Sequence, residues 1–166
     1  VNLTIIGNGS LTQMPGTNIV VSGTANFSMG GNVTLNNSTN NFSGSITANG
    51  NVVTIYGNGA MNMAPVTAND LIIRNSNGNI TQTGRIRVKN VNTAYLTAIN
   101  GNIILNNTTN DFVGAIHANA TNDIEIYNSK IHYAGKPAWE PLAVKLRDDV
   151  TGQVSKLVGE QNQKQF

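Results

Sequence analysis

The sequence predicts an all-β chain wound as a right-handed parallel β-helix, a β-solenoid, ending in a short, partly helical C-terminal tail. Three observations lead there. GNVTLNNSTNNFSGSITA (31–48) recurs as GNIILNNTTNDFVGAIHA (101–118), with eleven of eighteen positions identical at an offset of 70. Short β-type runs separated by Asn, Gly, Ser and Thr clusters begin every 7–19 residues through 1–133. Charged residues make up only 11% of the chain against 39% hydrophobic, and Asn alone supplies 28 of the 166 residues.

The strands follow in order. LTII (3–6), NIVV (18–21), NVTL (32–35), SITA (45–48), VVTIY (52–56) and LIIR (71–74) are succeeded by RIRV (85–88), AYLTA (94–98), NIIL (102–105), AIHA (115–118) and DIEIY (123–127). Asn8-Gly9, Asn49-Gly50, Asn58-Gly59, Asn77-Gly78 and Asn100-Gly101 supply turn residues that tolerate positive φ. The copy extends beyond its clearest stretch. SLTQ (10–13) answers NITQ (79–82), and VTIY (53–56) answers IEIY (124–127), so the offset drifts from 69 to 71. Single-residue insertions at turns account for that drift.

A self-copy of about 70 residues points to a solenoid, a propeller or an array. A propeller blade needs roughly 40–50 residues and a signature dipeptide that is absent here. A β-sandwich fits the strand count but gives no reason for the copy. Rungs of about 20–25 residues, three per super-repeat, stack inward Val, Ile, Leu and Phe at ~4.8 Å. Phe42 and Phe112, with Gly44 and Gly114 beside them, hold equivalent places in the two copies. The phenylalanines are expected in equivalent core positions three rungs apart. The solenoid spans 1–133.

The tail, 134–166, has a different composition. Ten of the eighteen charged residues fall in 130–166, with Pro137, Trp139 and Pro141 close together. Leu142, Leu146, Val150 and Val154 recur every four residues, which predicts a helix from 141 with Pro141 in its first turn. With Trp139, that apolar face would cap the last rung or anchor the chain.

Composition also narrows the chemistry. The chain has no cysteine, which excludes disulfides, thiolate catalysis and Cys-based zinc sites. No apolar run approaches the roughly 18 residues of a membrane-spanning helix. Val1 is followed by neither a basic n-region nor an apolar h-region, so the stretch reads as a fragment or a mature, processed piece. A net charge of +2 and one basic cluster, Arg85, Arg87 and Lys89 on a strand face, do not argue for nucleic acid.

Candidate catalytic residues are sparse. Asp70, Asp111, Asp123 and Glu125 are the only acids before residue 130, and no three lie one rung apart. Asp123 and Glu125, two apart on one strand, suit the ~6.5–9.5 Å separation of an inverting glycosidase, but lack a flanking cation or aromatic platform. His117 and His132 form no triad and no metal set. The reading is of a protein that is not an enzyme and carries no cofactor. Eleven Asn-x-Ser/Thr sequons, at Asn2, Asn8, Asn26, Asn32, Asn36, Asn37, Asn41, Asn79, Asn106, Asn107 and Asn119, are candidate glycosylation sites, though so Asn- and Thr-rich a chain creates many by chance.

ITQTG (80–84), GNIxL (101–105) and NDFxG (110–114), with NNFSG (40–44) as the first-copy variant, resemble the strand repeats of filamentous-haemagglutinin-like exoproteins of Gram-negative bacteria. These include the high-molecular-weight adhesins of two-partner secretion. The similarity covers roughly 1–129. It implies a β-helical fibre exported through an outer-membrane barrel transporter and displayed at the cell surface as a virulence-related adhesin, in some members glycosylated at such sequons. Its partner would be a host or bacterial surface receptor, glycan or protein. A polysaccharide-processing β-helix enzyme and the stalk of a contact-dependent toxin-delivery protein are the competing readings.

Overall fold

The computed structural model describes residues 1–89 and 93–129, together with the backbone of two later strands. The chain alternates between two sides of a parallel solenoid. β1 (Leu3–Gly7) lies on the first side, in the largest sheet; β2 (Leu11–Thr12) belongs to a six-stranded sheet and β3 (Val20–Val21) to a separate two-stranded one. β4 (Ala25–Met29) returns to the first, followed by β5 (Val33–Leu35) and β6 (Asn41–Phe42), then β7 (Ser45–Asn49) and β8 (Val52–Gly57). Leu3 pairs with Ala25 and Ala25 with Ile46, so successive turns consume 22 and 21 residues. About six turns stack in this way.

The midpoint is built differently. β9 (Met61–Ala68) is the longest strand, and it pairs with β7 across a register shift between Ile46 and Ala48. β10 (Asp70–Asn75) follows on the other side. Beyond it the first side carries two strands per turn: β11 (Ile80–Gln82) and β12 (Ile86–Val88) both pair with β9. β13 (Ala94–Ala98), β14 (Ile103–Leu105), β15 (Asp111–Phe112), β16 (Ile116–Ala120) and β17 (Ile124–Asn128) complete the series.

The two sequence copies therefore lie on opposite sides. β2, β5 and β8 belong to one sheet, whereas their counterparts β11, β14 and β17 belong to the other. β4 and β7 exchange sheets with β13 and β16 in the same sense. The super-repeat is three and a half turns, not three. The expectation of three rungs is corrected accordingly. Phe42 and Phe112 are both buried, but Phe42 pairs with Val21 in a two-stranded sheet and Phe112 with Val88 in the large one.

Alternation decides which residues enter the core. Within most strands every second side chain turns inward, as in Val53 and Ile55 of β8 or Ile124 and Ile126 of β17. Phe27 and Phe42 meet edge to face with ring centroids 6.2 Å apart. In the second copy Leu96 stands where Phe27 stands in the first, and it is equally buried.

The tail departs from the expected helix. β18 (Val144–Asp148) is a strand that pairs parallel with β17, Ile124 beside Val144 and Ile126 beside Leu146. β19 (Gln153–Lys156) folds back antiparallel against it. Val144 and Leu146 alternate with Lys145 and Arg147, so the segment also carries the strand period, and the open edge of β17 selects it. Leu146 and Val154 thus lie on strands. Trp139, Leu142, Val150 and His132 fall outside the described residues.

Corners are tight where one turn crosses the next. A Cβ added at Gly44 would run into the carbonyl oxygen of Gly23 one turn below, whereas one added at Gly9 would meet nothing within 4 Å. Gly114 holds the same corner in the second copy, between β15 and β16. Gly44→Ala is expected to cost about 1–3 kcal/mol through backbone displacement, and Gly9→Ala to stay within about 0.5 kcal/mol. Urea midpoints of the two variants check this.

Candidate functional site

Parallel stacking leaves a polar problem at the corner that follows β5 and β14, where backbone groups turn inward without a sheet partner. Asn40 and Asn110, both fully buried, resolve it identically. Asn40 Nδ2 donates to Gln13 Oε1 at 2.9 Å while Gln13 Nε2 donates to Asn40 Oδ1 at 2.7 Å, a reciprocal amide pair. Asn40 Oδ1 also accepts the Ile19 N–H at 2.8 Å, and Asn40 Nδ2 donates towards the Tyr56 carbonyl at 3.3 Å. One side chain thereby clasps three successive turns.

The second copy repeats the clasp atom for atom. Asn110 Nδ2 donates to Gln82 Oε1 at 2.8 Å and Gln82 Nε2 to Asn110 Oδ1 at 2.9 Å. Asn110 also accepts the Ile86 N–H at 2.9 Å and donates to the Leu105 and Tyr127 carbonyls at 3.2 and 3.1 Å. Beside each clasp an exposed loop is shaped by Asn37 or Asn107, whose Oδ1 accepts both the N–H and the hydroxyl of Thr39 or Thr109. The clasp residues Gln13, Asn40, Gln82 and Asn110 are given no role by the sequence reading, which takes Asn37 and Asn107 only as sequons. The available signal was the retention of Gln13/Gln82 and Asn40/Asn110 across the copies, at separations of 27 and 28 within each pair.

The outer surface differs between copies. Tyr95 and His117 are register neighbours on β13 and β16, stacked with centroids 5.0 Å apart and rings within 12° of parallel. Asn26 and Thr47 occupy those places in the first copy. Arg74, Thr97 and Asn119 form the adjacent outward row of the same sheet. On the opposite side Asp111 lies 3.2 Å from Arg85 and 3.5 Å from Arg87, where the first copy has Asn41. Both arginines remain about half exposed, so this cluster contributes little to stability.

The sequons divide by environment. Asn2, Asn32 and Asn79 use Oδ1 to accept backbone N–H groups from the next turn, those of Thr24, Val52 and Asn102. Asn37 Nδ2 donates to the Thr17 carbonyl at 2.6 Å, and the residue is half-buried. Asn8, Asn36, Asn41, Asn106 and Asn119 are exposed, while Asn26 and Asn107 are half-buried. Asp123 is exposed just before β17, and Glu125 is half-buried on β17. Among the described residues no three His, Asp or Glu side chains converge.

These features define a parallel β-solenoid repeat protein with a duplicated internal clasp and a diversified exterior. The chain belongs to the family described as repeats of unknown function (DUF5649), which matches residues 1–49 and 49–119. No curated protein and no solved structure matched it.

Removing the clasp tests its weight. Asn110→Ala takes the side-chain acceptor from the buried Ile86 N–H and breaks the reciprocal pair with Gln82, whose Nε2 still donates to the Gly84 carbonyl; the loss is roughly 1–3 kcal/mol for the buried N–H. Asn106→Ala, an exposed neighbour of the same type, should stay within about 0.5 kcal/mol. Chemical denaturation of the two variants side by side measures the difference.

Proposed function

We propose that this chain is a structural and adhesive segment of a secreted bacterial surface exoprotein. One observation carries the reading: the two copies keep what faces inward and change what faces outward. The Gln–Asn clasp and the buried phenylalanine at 42 and 112 persist, while Asn26 becomes Tyr95, Thr47 becomes His117, Asn41 becomes Asp111 and Thr54 becomes Glu125. A scaffold held constant under a drifting exterior suits display of contact surface along a fibre. The resemblance to two-partner-secreted adhesins supports export through an outer-membrane barrel and attachment to a glycan or protein receptor on another cell.

Immobilised protein should capture host epithelial or bacterial cells, and Tyr95→Ala with His117→Ala should weaken capture several-fold without changing the fold. Failure to bind any cell surface or glycan panel would remove the adhesive part of the proposal. The reading also assigns the chain no glycan-cleaving role. Pectin and hyaluronan should remain intact on prolonged incubation; turnover abolished by Asp123→Asn would overturn that assignment.

A further inference from the structure

An Asn–Gly bond can react with itself. The glycine nitrogen closes on the asparagine side-chain carbon because no Cβ on the glycine obstructs the five-membered ring. Three conditions gate that closure. The glycine N–H must be free of an acceptor, the asparagine amide must be free to turn, and solvent must reach the nitrogen to remove its proton. Four Asn–Gly pairs of this chain, at Asn49, Asn58, Asn77 and Asn100, lie between a turn below and a turn above. The fold treats them unequally.

Two of the four are held shut. Asn49 ends β7 in register with Ser28 and Thr67, and the Gly50 N–H donates to the Thr67 carbonyl at 3.1 Å. The Gly59 N–H donates to the Asn77 carbonyl at 2.7 Å. At Asn100 the glycine N–H meets no acceptor among the described residues, but Gly101 is buried. It packs so closely on Gly78 that an added Cβ would strike the Gly78 carbonyl oxygen.

Asn77 meets all three conditions. It is exposed, its side chain makes no hydrogen bond among the described residues, and Gly78 is only half-buried. Fully buried Asn75 grips the loop on either side of the reacting atoms. Its Oδ1 accepts the Asn77 N–H at 3.4 Å, and its Nδ2 donates to the Gly78 carbonyl at 2.8 Å. Between those anchors the Gly78 N–H has no acceptor among the described residues. Gly78 holds φ at 112°, a turn conformation outside the strand ladder.

We propose that Asn77 is a site of self-modification, converting to aspartate and isoaspartate ahead of the other three pairs, and that the isoaspartyl form loosens its corner. The Gly78 nitrogen gives its proton to solvent hydroxide and bonds to Asn77 Cγ. The Cγ–Nδ2 bond breaks, and that nitrogen takes up a proton and leaves as ammonia. Water then opens the cyclic imide. Cleavage between the ring nitrogen and Cγ yields aspartate; cleavage between the nitrogen and the main-chain carbonyl carbon yields isoaspartate. One water enters and one ammonia leaves, with no oxidation or reduction. In isoaspartate the main chain runs through Cβ and Cγ and is one atom longer. The extra atom falls between Asn77, which receives the Gly59 N–H from the turn below, and Gly78, on which Gly101 of the turn above is packed. That contact has no slack, so the lengthened link displaces it.

Prolonged incubation of the full chain at mildly alkaline pH, followed by peptide mapping, tests the site. Asn77 should convert about tenfold faster than Asn49 or Asn58, whose glycine N–H groups must first give up a hydrogen bond. Asn100 should trail Asn77 as well. In chain unfolded by urea the four rates should converge, because the fold sets the order. The aged chain should also unfold at lower urea than Asn77→Gln aged alongside it, since the longer side chain closes its ring far more slowly. Conversion of any other of the four before Asn77, no conversion at Asn77, or the same order in urea would overturn the site. An isoaspartyl-rich sample with an unchanged midpoint would overturn the loosening.

Discussion

The Gln–Asn clasp is the interaction on which the rest of this solenoid depends. Stacked parallel strands satisfy their own backbone, but the corners at Asn40 and Asn110 turn N–H and C=O groups towards the packed interior. Asn40 and Asn110 satisfy those groups with one short side chain, and Gln13 and Gln82 hold the amides in a single orientation. An amide both donates and accepts, so one clasp can join the turn below, its own turn and the turn above. Asp at that place would lose the donor, and Ser, with a single O–H on a shorter side chain, would lose the second donor and the reach. The corner thus dictates residue identity more strictly than the strands do, because any β-branched or aliphatic side chain of fitting volume serves within a strand.

That difference explains what could be read from the sequence. The strands were legible because alternation marks Val53 and Ile55 or Ile124 and Ile126 as inward, and the period was legible because Asn, Gly and Phe persist across it. The number of turns was not. Residue spacing is the same whether a copied strand returns above its original or half a turn away, so Phe42 and Phe112 could be matched in sequence without being placed on one side. β9 escaped notice for another reason: Pro65 and the Met–Ala composition of Met61–Ala68 argue against a strand, and the register shift where it pairs with β7 is the irregularity that admits a proline. The tail was ambiguous because Leu142, Leu146 and Val150 satisfy periods of two and of four alike. The unpaired edge of β17, which no local pattern records, selects the strand at Val144–Asp148.

The candidate site was legible in the opposite proportion. Asparagine abundance was visible at once, but abundance hides the difference between Asn106, exposed on a loop, and Asn110, sealed inside. Four residues separate a decorative amide from a structural one. The same holds for the sequons, of which several serve the backbone of the following turn. The outward positions carried the weakest signal, since Tyr95 and His117 become a stacked pair only when a turn of 22 residues brings them into register.

The half-turn in the repeat bears on how such a protein evolves. Duplicating this stretch of gene does not set the new copy above the old one; it sets it behind, as successive leaves alternate along a stem. Like-facing copies recur only after two repeats, about seven turns, or roughly 34 Å along the axis at ~4.8 Å per turn. A partner approaching from one side therefore meets every second copy, and the intervening ones look the other way. Substitutions such as Thr47 to His117 escape any requirement to match their sister, because no single contact spans both. Duplication in this architecture produces two independent coasts rather than one longer shore.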